Sequence, residues 1–178
     1  AENWHLYQTD LKGFNTRDLT PFHGVQARLI AYRAQAPDQM LIALNLQNRS
    51  RHDLYRLSLN HGALSLTHVN SQGMIDWLAD ADLEARLAIS INESGSFELL
   101  RRVANSTQWE TAYKFPTTSQ MPRLISLSPD GKTACFQDHH QDSGNRLWTI
   151  DLATLTVTAL GPETQENILE CLIDPMTG

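Results

Sequence analysis

Asp53-Leu54-Tyr55-Arg56-Leu57-Ser58-Leu59 is a short strand-like run built around a leucine-aromatic pair, and the chain repeats it. It stands earlier as His5-Leu6-Tyr7-Gln8-Thr9-Asp10-Leu11, more weakly as Glu98-Leu99-Leu100-Arg101-Arg102-Val103, and again as Arg146-Leu147-Trp148-Thr149-Ile150-Asp151-Leu152. The anchoring residues Leu6, Leu54, Leu99 and Leu147 are 48, 45 and 48 positions apart. After each anchor come a turn and a second short strand: Arg17-Asp18-Leu19-Thr20, Leu64-Ser65-Leu66-Thr67, residues 109–113, and Val157-Thr158-Ala159-Leu160. A fixed period of this length marks a repeat architecture, in which each repeat is one supersecondary unit that must stack on its neighbours to bury its apolar faces.

Outward from the anchors, runs rich in Leu, Ile, Val, Tyr and Trp alternate with Gly, Pro, Asn, Asp and Ser clusters, which reads as all-β. Strands are predicted over 5–11, 16–20, 26–32, 40–46, 53–59, 64–68, 74–78, 85–91, 98–103, 110–115, 124–127, 133–137, 146–152, 156–160 and 167–173. Residues 75–87 compete for a helix through Trp77, Leu78, Ala81, Leu83 and Ala85, with strand favoured. Ser128-Pro129-Asp130-Gly131-Lys132 carries the proline and glycine of a tight β-turn. Residues 40–46 and 87–91 are apolar at neighbouring positions, so both faces of those strands expect protein cover.

Four antiparallel strands per repeat is the blade of a β-propeller. A β-sandwich also has many short strands, but it has no reason to return the same strand at near-constant spacing. The predicted fold is therefore a partial β-propeller. Residues 1–22 end one blade, 23–70, 71–116 and 117–162 are full blades, and 163–178 begin another. On this reading the chain starts and stops within blades, as a piece cut from a larger ring; pairing of 167–173 with the N-terminal strands would instead close a small propeller.

Composition narrows the partners. Fourteen Lys and Arg against 20 Asp and Glu leave a formal charge of −6, which offers no cationic face for a phosphate backbone, so nucleic acid is not expected. The longest apolar runs, such as Met40-Leu41-Ile42-Ala43-Leu44, fall far short of the roughly 20 residues of a membrane-spanning helix, so no membrane is expected either. Ala1-Glu2-Asn3-Trp4-His5 has neither the basic start nor the apolar run of a signal peptide. Cys135 and Cys171 have no metal-type spacing and read as buried free thiols.

The text of the repeats resembles the N-terminal propeller of bacterial serine peptidases of the prolyl oligopeptidase family, which includes acylaminoacyl peptidases and dipeptidyl aminopeptidases. The resemblance rests on Asn3-Trp4-His5-Leu6-Tyr7, Arg17-Asp18-Leu19-Thr20-Pro21-Phe22 and Gly24-Val25-Gln26-Ala27-Arg28, on His52-Asp53-Leu54-Tyr55-Arg56-Leu57, and on Trp77-Leu78-Ala79-Asp80 with Arg86-Leu87-Ala88. Ser128-Pro129-Asp130-Gly131-Lys132 and the 147–154 stretch are shared with propellers of Tol-system and WD-repeat type, and so support fold more than family.

The resemblance implies a propeller that caps an α/β-hydrolase domain C-terminal to it, admits short peptides, and acts in peptide hydrolysis without performing it. The compartment it implies is the cytoplasm, with the periplasm left open. The hydrolase nucleophile of such enzymes sits in a G-x-S-x-G elbow, and no two of the nine glycines here lie four positions apart. The chain is expected to carry no catalytic, cofactor or metal residue. The alternative is a stand-alone propeller scaffold for protein interaction.

Other constellations read as ordinary structure. Asp138-His139-His140-Gln141-Asp142 has metal-ligand residue types but reads as a solvated loop. His23, His52, His61 and His68 read as turn or surface residues. The sequons Asn48-Arg49-Ser50, Asn92-Glu93-Ser94 and Asn105-Ser106-Thr107 read as loop asparagines. Trp4, Tyr7, Tyr55, Trp77, Trp109 and Trp148 are expected to be mostly buried in blade packing, and Arg49, Arg51, Arg101 and Arg102 to be solvated rather than peptide-binding.

Overall fold

The computed structural model describes residues 3–104, 106–119, 121–140 and 144–161. The predicted strand 167–173, the blade beginning at 163, Cys171, Asn105, Gln141 and Asp142 lie outside them. Among the described residues there is no α-helix, and β-strands follow one another through the chain. They are β1 (Tyr7–Thr9), β2 (Thr16–Asp18), β3 (Ala27–Tyr32), β4 (Gln39–Asn48), β5 (Arg51–Ser58), β6 (Leu64–His68), β7 (Met74–Ala79), β8 (Ala85–Ile91), β9 (Phe97–Arg102), β10 (Trp109–Lys114), β11 (Arg123–Leu127), β12 (Thr133–His140), β13 (Gly144–Asp151) and β14 (Val157–Leu160). They form a two-stranded sheet, β1-β2, and three four-stranded sheets, β3-β4-β5-β6, β7-β8-β9-β10 and β11-β12-β13-β14, with every neighbouring pair antiparallel and consecutive in sequence.

Two compact units contain these sheets. In the first, formed by Ala1–Ser71 with Ala81–Glu84, β1-β2 packs against β3–β6. Leu19, with the partly buried Leu6 and Phe22, meets Val25, Ala27, Ile42, Leu44, Tyr55 and Leu57. The peptide link from one sheet to the next is fixed by Trp4, which pairs in parallel with Gln26. Arg17 adds a polar tie: its guanidinium donates to the Leu59 carbonyl, to the Asn60 carbonyl at 3.2 Å and to Gln8 Oε1 at 2.9 Å.

In the second unit, Gln72–Asp80 with Ala85–Gly178, the β7–β10 and β11–β14 sheets share a core. Leu87, Ile89, Leu99 and Phe115 pack with Ala134, Phe136 and Ile150. Phe115 stands edge-on to Phe136, ring centres 5.4 Å apart, and Tyr113 edge-on to Phe115 at 5.1 Å, an arrangement that aromatic quadrupoles favour. Arg101 repeats the tie made by Arg17, donating to the carbonyl of Leu152. Leu59 and Leu152 each stand five residues after a repeat anchor, Leu54 and Leu147, so the two guanidinium bonds fall on the same place in the repeat. Asp76 links the first strands of the two sheets, accepting from Leu124 N at 3.0 Å.

The middle strands are buried on both faces, as their unbroken apolar runs require. Leu41 through Asn45 in β4 and Leu87 through Ser90 in β8 are all buried, and β6 and β8 have the bounds predicted from sequence. The helix alternative over 75–87 gives way to β7, a turn and β8. The turn holds Leu83 at a φ of 60°, a left-handed conformation that no helix accommodates.

Gly73 sits at the entrance to β7 with φ +66°, and a Cβ there would meet the Ile91 carbonyl oxygen at 2.7 Å; Gly95, φ +81°, has open space around it. Gly73→Ala is therefore expected to destabilise the protein by at least about 2 kcal/mol and Gly95→Ala by about 1 kcal/mol in urea denaturation, and equal costs would contradict the geometry. Ile89, fully buried, should lose about 2–5 kcal/mol on truncation to Ala in the same measurement.

Candidate ligand cleft

The two ends of the blades differ chemically. At the end where second strands turn into third strands, one repeat position, nine residues before the anchors Leu54, Leu99 and Leu147, holds Asn45, Ser90 and Asp138, all three buried. Asn45 accepts from Gln26 N at 2.6 Å and donates to the Arg49 carbonyl at 3.1 Å. Asp138 accepts from the buried Ser119 hydroxyl at 2.8 Å. These bonds satisfy loop polar groups that an apolar core would otherwise strand. The Asp53 carboxylate does the same for the backbone of buried Asn70, at 2.8 Å.

The opposite end of the second unit holds a cleft of about 440 Å³, lined by Arg86, Arg101, Arg102 and Lys132, with Glu110 the one carboxylate. Val103, Ala104, Leu152 and Ala153 give it apolar walls. Arg86 is the second residue of β8, β9 ends in Arg101 and Arg102, and the β11–β12 turn supplies Gly131 and Lys132. That turn is rigid. Gly131, φ +69°, donates to the Ser128 carbonyl at 2.8 Å, and the Asp130 carboxylate accepts from the Ser128 hydroxyl at 2.7 Å and Lys132 N at 3.1 Å. Those bonds, the serine hydroxyl first, hold Asp130 below the usual carboxylate range.

The cations differ in how firmly they are held. Arg101 is fixed by the Leu152 carbonyl and by Glu110 at 2.7 Å, and Arg102 donates to the Ser106 carbonyl at 2.8 Å. Arg86 lies 3.6 Å from Asp80 and Lys132 3.4 Å from Asp130, with 44% and 77% of their side chains exposed; such loose surface pairs contribute little and reorganise easily. A second hollow, about 490 Å³, lies over the β1-β2 hairpin. Its polar groups satisfy one another: Asp10 accepts from Asn15 and from the Lys12 and Phe14 amides.

Several sequence expectations are corrected. Asp138, His139 and His140 are not loop residues but the end of β12, because the β12-β13 ladder runs on to His140↔Gly144. Asp138 is buried rather than solvated. Among the described residues no group of three or more His, Cys, Asp and Glu is placed to hold a metal. Tyr55 and Trp77 are buried, whereas Trp4 and Tyr7 are 59% and 63% exposed: Tyr7 opens a sheet of only two strands among the described residues, and Trp4 lies outside the strands, joined by a single bridge to Gln26. The arginines are not simply solvated: Arg49 donates to the Gly24 and His23 carbonyls and Arg51 to that of Ser71. Cys135 is buried, as expected. Of the cleft cations, sequence reasoning singled out Arg101 and Arg102 but passed over Arg86 and Lys132.

No family model matches the chain. Over 99% of its length, 182 aligned residues, it is 32% identical to dipeptidyl aminopeptidase BIII of Pseudoxanthomonas mexicana, of which it spans 26%. The chain resembles the propeller of a prolyl oligopeptidase-family peptidase. Solved structures agree on the fold. A prolyl endopeptidase matches with a TM-score of 0.60 at 10% identity, covering 88% of this chain and 22% of that one. TolB from Acinetobacter baumannii matches at 0.59 and 14% identity, covering 88% and 37%. The fold is thus a partial β-propeller, and the prolyl oligopeptidase-type likeness comes from the sequence match to the aminopeptidase.

His52, at the head of β5, is half-buried. Desolvation, aided by the Arg28 charge, pushes its imidazole below 6.5, and its Nε2 has no hydrogen-bond partner among the described residues. In the folded chain it resists protonation, while the unfolded chain takes up the proton near pH 6.5. Its stabilising contribution is therefore complete above pH 6.5 and is lost as pH falls below it. Thermal melts between pH 7.5 and 5 should show this decline in the wild type and a shallower one in His52→Gln; superimposable curves would count against a neutral, half-buried ring.

Proposed function

We propose that this chain is the non-catalytic propeller portion of a serine peptidase, docking onto an α/β-hydrolase domain elsewhere in the parent protein and restricting its substrates to short peptides. The observation that carries the reading is the match of nearly the whole chain to one quarter of a dipeptidyl aminopeptidase. The missing elbow supports it: no G-x-S-x-G is present to hold a nucleophile at a strand-to-helix turn. Within each unit the sheets are stacked on a shared apolar core, and a stiff propeller segment would discriminate by size, without strong bonds to what it admits.

The scaffold reading shares the fold with TolB at 14% identity, a likeness that carries no function. The complete reading frame separates the two. Its product should hydrolyse short chromogenic peptides and cleave a folded protein at least about tenfold more slowly, while the 178-residue chain alone should hydrolyse neither. Turnover by the chain alone that survives repurification would overturn the non-catalytic role; a full-length product with no elbow serine and no hydrolysis would leave the scaffold.

A further inference from the structure

We propose that the cationic cleft between the β7–β10 and β11–β14 blades binds the C-terminal carboxylate of a short peptide. The chain as a whole carries −6, yet four of its 14 cations line this one hollow, so the local field runs opposite to that of the molecule and favours an anion. Its volume, about 440 Å³, lies within the range of small-molecule sites, roughly 300–1,000 Å³.

The surrounding carboxylates set the charge of the ligand. Glu110 is bonded to Arg101, Asp130 stands beside Lys132, and Asp80 beside Arg86, so the cationic excess is small. It suits a singly charged carboxylate better than a phosphate dianion. Arg101 is held in place through the Leu152 carbonyl, while Arg86 and Lys132 are loosely paired and exposed. A carboxylate arriving at the cleft therefore has to displace only weak partners, and guanidinium offers it a two-pronged donor. Val103, Ala104, Leu152 and Ala153 give the residue next to the terminus an apolar surface to cover.

That the carboxylate belongs to a peptide rests on the peptidase reading; the cleft's preference for a carboxylate does not. The probe is N-acetyl-Ala-Leu with a free carboxylate, compared with the same peptide amidated, titrated into the 178-residue chain by calorimetry and by amide chemical shifts. The acid should bind at least about tenfold more tightly than the amide, the loss expected for one charge-assisted contact. Its affinity should fall in Lys132→Gln and further in Arg86→Gln/Lys132→Gln, and should weaken as salt rises. Lys12→Gln, in the β1-β2 hairpin, should bind as the wild type does, and Lys132→Gln, exposed and outside the core, should melt as the wild type does. Equal binding of acid and amide, binding unchanged in the double variant, or binding of neither peptide would each overturn the proposal. Carboxylate binding alongside a full-length product that hydrolyses no peptide would keep the cleft and end the peptidase reading.

Discussion

The middle strands of each blade have no face to give to water. In β4 and β8, apolar side chains fill consecutive positions, and Ile42, Ala43, Leu44, Leu87, Ala88 and Ile89 are all fully buried. Burying each of the larger ones contributes about 1.5–3 kcal/mol, a gain realised only when sheets cover both sides. A single four-stranded sheet of this sequence would leave one apolar face wet, so the repeat is a thermodynamic necessity as much as a pattern. The shared cores, Leu19 with Ile42 and Tyr55 in one unit and Phe115 with Phe136 in the other, are that requirement met.

Apolar packing alone is non-directional and would let one sheet slide over the next. Polar ties at repeat-equivalent places remove that freedom. Arg17 and Arg101 come from different strands, β2 and β9, yet reach the same acceptor, the carbonyl five residues after an anchor. The acceptor is the conserved element of the geometry within this chain, because it sits where the third strand ends and its carbonyl has left the ladder. A guanidinium that satisfies such a group both removes a desolvation cost and sets the register between sheets.

How much of this was legible depends on whether a feature is local in the chain. Strand order, the 128–132 turn and the blade repeat were readable, because periodicity and turn chemistry are written in neighbouring residues. Asp138 was misread as part of a solvated loop: its burial follows from Ser119 and from the length of the β12-β13 ladder, neither of which a five-residue window contains. The same holds for Tyr7, whose exposure depends on the number of strands in its sheet. The cleft was the least legible feature. Arg86, Arg101, Glu110, Lys132 and Leu152 are scattered over two repeats and converge only when the blades stand side by side. One signal did exist: Arg56 and Arg101 both stand two residues after an anchor, and both make an ion pair and a carbonyl bond.

The placement of these polar groups along their strands follows from the antiparallel topology. Every second strand runs from the turn it shares with the first strand to the hairpin it shares with the third, so equivalent repeat positions collect at the same end. Asn45, Ser90 and Asp138 each lie buried near that hairpin of their own sheet, Asn45 and Asp138 bonded to the loops beside them. Lys132 and Arg86 gather at the other end because each lies at the start of a second strand. Asn45 and Asp138 are occupied and buried, which suits them to holding loops in place. Arg86 and Lys132 are exposed and weakly paired, with flexible side chains, and so retain interaction energy for something from outside. The position of each of these groups within its sheet is thus a consequence of sequence periodicity acting through strand direction.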